Sequence, residues 1–121
     1  MPGYQVGQAV KLPNYGQAIV PRAKIADYLL SFSHADGRGK AQFFSRYGYS
    51  IEAWELLAEA LLRHAADHEL ARIESSPFGT RYVIEGIIST LDGRAPFMRT
   101  VWFIATDEDI PRFVTAYPLR R

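Results

Sequence analysis

The segment Ser33-His34-Ala35-Asp36-Gly37-Arg38-Gly39-Lys40 gathers an imidazole, a guanidinium and an ammonium around two glycines. At the start of a helix such a segment has free backbone N–H groups and the positive end of the peptide dipole, which together favour an anion, most naturally phosphate. Histidine is also the side chain readiest to accept or give a proton near neutral pH. His34 and Lys40, with Arg38 between them, are therefore the first candidates for acid, base or phosphate-stabilising work. The same residues equally suit a capped, solvated loop without chemistry.

A second set lies near the end of the chain. Alternation along Phe97–Ala105 puts Met98, Thr100, Trp102 and Ile104 on one face of a strand, with Arg99, Val101 and Phe103 on the other. In Arg112–Pro118 the same rule gives Phe113, Thr115 and Tyr117 one face. If the two strands pair, Thr100, Thr115 and Tyr117 form a hydroxyl cluster, and hydroxyls with a nearby arginine can hold a phosphate or stack a base. Against this stands the ordinary preference of threonine for strands and of tyrosine for half-buried positions.

Other chemistries find less support. His64 and His68 are spaced i, i+4 on a helical segment, but no third zinc ligand accompanies them and Asp67 does not complete an H-E-x-x-H arrangement. They read as ordinary helix-surface or helix-end residues, and no metal or cofactor is expected. Gly37-Arg38-Gly39-Lys40 lacks the order of a nucleotide-triphosphate loop, and no G-x-S-x-G elbow is present. With no cysteine, disulfides, thiolate zinc sites and cysteine nucleophiles all fall away.

The elements that must position these residues follow from periodicity. Residues 1–16 read as an extended lead-in, and Gln17–Val20 as a short strand. Pro21 suits a first helical turn, and Arg22–Leu30 would bury Ile25, Tyr28 and Leu29. A second helix opens from the His34–Lys40 loop with Asp36 as N-cap, buries Phe43, Phe44 and Tyr47, and stops at Gly48. Ser50 caps a third, from Ile51 to about His68, with Trp54, Leu57, Leu61 and Ala65 on one stripe. Beyond residue 68 the period falls to two, giving strands over Leu70–Glu74, Arg81–Ile88, Phe97–Ala105 and Arg112–Pro118, with Asp92-Gly93 as a hairpin signal. About three N-terminal helices followed by a four-stranded antiparallel β-meander make an α+β fold. The 121 residues read as a single domain, with 17–68 the helical half and 69–118 the sheet.

Composition bounds the rest. At 48% apolar and 13% aromatic residues the chain can offset the entropy of ordering. Its net charge of +1 speaks against a strongly basic nucleic-acid binder, yet that number is a difference. Residues 1–50 hold six Lys/Arg against two acids, residues 51–76 two against six, and residues 77–121 six against five. A local basic surface is compatible with the near-neutral total. No secretory leader or membrane span is visible, and the chain is read as a bacterial-type cytoplasmic protein.

Several stretches carry a resemblance: Lys11-Leu-Pro-Asn-Tyr, Ala18-Ile-Val-Pro, Lys24-Ile-x-Asp-Tyr-Leu-Leu and His34-x-Asp-Gly-Arg-x-Lys40-Ala-x-Phe-Phe in the first half. Phe78-Gly-Thr-Arg-Tyr, Leu91-Asp-Gly-Arg, Arg99-Thr-Val-Trp-Phe-Ile and Pro111-Arg-Phe-Val-Thr-Ala-Tyr-Pro118 continue it in the second. Over about residues 10–118 the chain resembles the bacterial domain-of-unknown-function 6883 family. Members look like small stand-alone proteins, often beside a small partner gene, and like C-terminal tips of polymorphic toxins. Their layout is similar to the barnase/EndoU/colicin/RelE superfamily of ribonuclease toxins. There a His or Lys from the helical half faces an Arg or Lys and a Thr/Ser…Tyr pair from the sheet.

The resemblance implies His34 and Lys40 as the helical-side pair and Thr100, Thr115 and Tyr117 as the sheet-side set. Arg99 or Arg81 would be the phosphate cation, with Arg38 beside the loop. Arg99 fits less simply, since alternation points it away from Thr100, and the EndoU pattern of two histidines is not met. The implied activity is a metal-independent, toxin-type endoribonuclease that attacks RNA, tRNA included, through its own 2′-OH. A small antitoxin or immunity protein would be its partner. Two rivals are a non-catalytic interaction module of immunity or antitoxin type, for which the acidic third helix offers contacts, and a nucleotide-binding domain without cleavage.

Overall fold

The computed structural model describes residues 10–119. Most of the expected lead-in lies outside these residues; within them, Tyr15–Gln17 forms a 3-10 turn rather than extended chain. Asn14 enters it in the left-handed region (φ 55°), and the Gln17 N–H closes on the Asn14 carbonyl. Ile19 then makes a parallel bridge to Arg112, which is all that forms of the short strand expected over 17–20.

Helix α1 (Arg22–Lys24) follows Pro21 and widens into a π-helical turn over Ile25–Leu29, where the Leu30 N–H reaches back to the Ile25 carbonyl at 2.8 Å. Helix α2 spans Arg38–Arg46 and ends at Gly48, whose φ of 98° lets the chain leave the helix in a conformation that side chains with a Cβ resist. A 3-10 turn at Ile51–Ala53 leads into α3 (Trp54–Asp67). Four strands follow: β1 (Leu70–Ser76), β2 (Gly79–Ile87), β3 (Phe97–Ala105) and β4 (Arg112–Pro118). They pair antiparallel in chain order, so the expected helices-then-meander α+β architecture is the one observed. The β2–β3 link is not a two-residue hairpin. Residues 88–96 form a longer loop, in which Asp92 accepts from Thr90 and Arg94.

The core sits between the helices and one sheet face. Ile25, Leu29, Phe44, Leu57, Leu61 and Ala65 from the helical half meet Ile84, Met98, Trp102, Phe113 and Ala116. The i, i+4 stripe of α3 and the period-two pattern of the strands make one apolar layer on each side. One irregularity decides what faces the other way. In the β3–β4 register Val101 lies across from Thr115 but Trp102 lies across from Phe113, which leaves Val114 as an extra residue. That bulge puts Phe113 and Ala116 on the core face while Thr115 and Tyr117 point to the opposite one. The expectation that Phe113 shares a face with Thr115 and Tyr117 is thereby corrected. Among the described residues no helix is long and apolar enough to cross a membrane.

Candidate functional site at the edge of the sheet

Three elements converge where β4 forms the sheet edge. The π-helical turn supplies Tyr28, the start of α2 supplies Lys40, and β4 supplies Thr115. The Lys40 ammonium donates to the Tyr28 hydroxyl at 2.6 Å and to the Thr115 hydroxyl at 2.7 Å. The two hydroxyls are themselves 3.0 Å apart, which closes a triangle. Lys40 also lies 4.9 Å from the Tyr28 ring centroid and 5.4 Å from that of Tyr117, and Lys24 lies 5.6 Å from the Tyr28 ring. Lys24, Tyr28, His34, Asp36, Val114 and Thr115 line an open groove of about 400 Å³ beside this triangle.

Opposing effects act on the Tyr28 phenol. Its burial works to raise the pKa, but hydrogen bonds with Lys40 and Thr115 and the charges of Lys40 and Lys24 outweigh that, so it lies below the ordinary tyrosine value. Sequence reading assigned Tyr28 to the core because it follows Ile25 by three residues. Its ring does pack on the core margin, yet its hydroxyl belongs to the groove. The available signal was Lys24 four residues earlier, which on one helical face places an ammonium over the ring.

His34 stands edge-on to Tyr28, with ring centroids 5.0 Å apart. Its Nδ1 accepts the backbone N–H groups of Asp36 and Gly37, each at 3.0 Å. Here His34, and not Asp36, satisfies free N–H groups leading into α2; the expected Asp36 cap is not made, and Gly37 occupies the N-cap position without a side-chain bond. An accepting Nδ1 leaves the ring proton on Nε2, so His34 as held is a neutral N–H donor.

The sheet contributes a second group. Arg99 and Tyr117 lie directly across from each other, and Arg99 Nη1 donates to the Tyr117 hydroxyl at 3.0 Å. Its Nε and Nη2 donate to one carboxylate oxygen of Glu85 at 2.8 and 2.5 Å. The bond to Tyr117 and the pairing with Glu85 outweigh burial and raise the Arg99 pKa. Glu85, missed by sequence reading, lies across from Arg99 on β2, as cross-strand pairing requires. The Tyr117 ring is thus flanked by Arg99 and Lys40, with each cation 5.4 Å from its centroid.

Thr100 does not join this set. It pairs with Ala116 on the core face and is 0% exposed. Its hydroxyl accepts from Trp102 Nε1 at 3.0 Å and faces His64 Nδ1 at 3.0 Å, while His64 Nε2 faces the Gly86 carbonyl at 3.0 Å. A carbonyl only accepts, so His64 carries its proton on Nε2 and Thr100 donates to Nδ1. His64 is 2% exposed, which corrects its reading as a surface residue; burial, with the His68 charge adding to it, lowers its pKa to about 4. Arg81 lies across from Phe103, four residues along β2 from Glu85, and pairs with Glu74 at 3.7 Å. Arg38 is exposed at the first position of α2. The structure therefore brings together His34, Lys40, Thr115, Tyr117 and Arg99, and leaves Thr100 and Arg81 apart.

A family model described as "Domain of unknown function (DUF6883)" matches residues 11–120. Among solved structures, one chain of a contact-dependent growth inhibition toxin–immunity protein complex from Klebsiella pneumoniae 342 is similar in fold. Its TM-score is 0.68 at 17% identity, covering 84% of this chain and all of that one. No curated protein matches the chain.

Proposed function

The chain belongs to the DUF6883 family, and from that premise and the groove at the β4 edge we propose that it is a metal-independent endoribonuclease of toxin type. The observation that carries this reading is the Lys40 ammonium hydrogen-bonded to Tyr28 and Thr115, two residues that line an open groove together with the His34 imidazole. Cleavage of RNA through its own 2′-OH develops negative charge on the phosphoryl oxygens, and fixed donors at that place lower the barrier. Lys40 stabilises this charge, and the Nε2–H of His34 donates to a phosphoryl oxygen. Thr115 and Tyr117 orient the group, and Arg99, held by Glu85, keeps Tyr117 in place. Arg38, exposed at the mouth of α2, contacts RNA phosphate. The fold it shares with a chain of a toxin–immunity complex supports a toxin-related reading with a small protein partner.

The test is incubation of the purified chain with tRNA, mRNA and rRNA. The expected products end in a 2′,3′-cyclic phosphate, and Lys40→Met lowers the rate by about 100-fold or more. Intact RNA in all three reactions rejects the enzyme. The immunity-type interaction module then takes its place, favoured by the two hydrogen bonds that already hold the Lys40 ammonium within the fold.

A further inference from the structure

Cleavage by transesterification needs a group that removes the 2′ proton, and His34 as held does not provide one. Its Nδ1 is occupied by two backbone N–H groups, and its Nε2 already carries a proton that a neutral imidazole does not give up. The geometry points to the Tyr28 hydroxyl and the Lys40 ammonium as the proton-moving pair of the groove, an assignment that rests on the ribonuclease reading.

Tyr28 Oη is placed where its anion is satisfied. Lys40 Nζ lies at 2.6 Å and Thr115 Oγ1 at 3.0 Å, and both can donate to it. The Lys24 ammonium stands over the ring, and the edge-on His34 imidazole is neutral. Asp36, which lines the same groove, is the carboxylate that acts in the opposite direction. The downward displacement of the Tyr28 pKa agrees with this arrangement. Hydrogen bonds to a charged form favour that form, and a tyrosine serves as base only when its phenolate is accessible in this way.

The step balances within the pair. The Tyr28 phenolate takes the proton of the 2′-OH as the 2′ oxygen bonds to phosphorus. The bond from phosphorus to the 5′ oxygen breaks, and that oxygen takes a proton from the Lys40 ammonium. The products are a 2′,3′-cyclic phosphate, a 5′-hydroxyl, a neutral phenol and a neutral amine. Across 2.6 Å the phenol proton then passes to the amine and restores the phenolate–ammonium pair, with no external acid or base. Thr115 acts as a positioning residue, since its hydroxyl touches both partners.

Cleavage of one RNA oligonucleotide, followed across pH, tests the assignment. Tyr28→Phe keeps the ring and is expected to lower kcat by about 100-fold or more while leaving affinity for the 2′-deoxy-substituted oligonucleotide unchanged. Replacement of Tyr28 by 3-fluorotyrosine, whose phenol is more acidic, moves the acidic limb of the pH–rate profile to lower pH. His34→Gln lowers the rate without moving that limb. A Tyr28→Phe chain that cleaves within about threefold of wild type overturns the pair while the ribonuclease reading stands, as does a limb that stays fixed with fluorotyrosine. A wild-type chain that leaves the RNA intact overturns both, and the wild-type reaction alone tells the two failures apart.

Discussion

His34 and His64 show how neighbours decide what an imidazole does. His34 spends Nδ1 on backbone N–H groups beside the groove, whereas His64 spends both nitrogens inside the core. The alternative of an imidazole as the base is a matter of residue type alone; the hydrogen bonds remove it. His64 also makes stability depend on pH. Its folded pKa of about 4 lies below the ordinary value of about 6.5, so between those values the unfolded chain binds a proton that the folded chain refuses. Stability is therefore full above about pH 6.5 and is lost as pH falls toward 4, by roughly 2–3 kcal/mol. Denaturant melts at pH 7 and 4.5 measure this. His64→Gln is expected to cost about 1–3 kcal/mol at pH 7, through its imperfect fit to Thr100 and Gly86, and to lose that acid-dependent component. An unchanged acid dependence in the variant would assign the effect to other groups.

At the scale of elements, alternation and helical stripes were enough to read three helices, four strands and the opposed faces of Arg99 and Thr100. They failed where one residue was added or a turn was widened. The extra Val114 breaks the run Phe113, Thr115, Tyr117, and only the paired register reveals it. The π-helical turn is likewise outside the 3.6-residue period, and within it Tyr28 keeps its ring on the core margin and its hydroxyl at the groove. Alternation with an assumed pairing groups Thr100 with Thr115, although its cross-strand partner is Ala116. The loop before α2 shows a third constraint that composition hides. A Cβ on Gly37 would run into the Tyr28 carbonyl oxygen, whereas one on Gly39 meets nothing within 4 Å. Gly37→Ala must push the His34–Lys40 segment away from Tyr28, and is expected to destabilise the fold by about 1–3 kcal/mol and to loosen the Lys40–Tyr28 contact. Gly39→Ala, inside α2, is expected to be neutral or to stabilise by up to about 1 kcal/mol. Thermal melts of the pair check the contrast, and equal melting temperatures would sink it.

For the whole molecule, the near-zero net charge conceals which cations are free to meet an anion. On the sheet and its loops, Arg72 and Arg81 share Glu74, Arg94 pairs with Asp92, Arg99 with Glu85 and Arg112 with Glu108. The basic surplus of the first fifty residues has a different fate. Lys24 and Lys40 meet aromatic faces and hydroxyls at the groove, and Arg38 is exposed close to it. Among the described residues, an RNA strand in the groove thus meets about two or three cations with no carboxylate partner, because each sheet arginine would first have to leave its carboxylate. For a single strand, log K falls with log salt at about −0.7 per phosphate neutralised, so a slope of about −1.5 to −2 is expected. Fluorescence anisotropy with 2′-deoxy-substituted RNA between low and moderate salt measures it without cleavage. A slope of about −4 or steeper would mean that Arg72, Arg81 and Arg112 exchange carboxylates for phosphates, moving the binding surface from the β4 edge to the open face of the sheet.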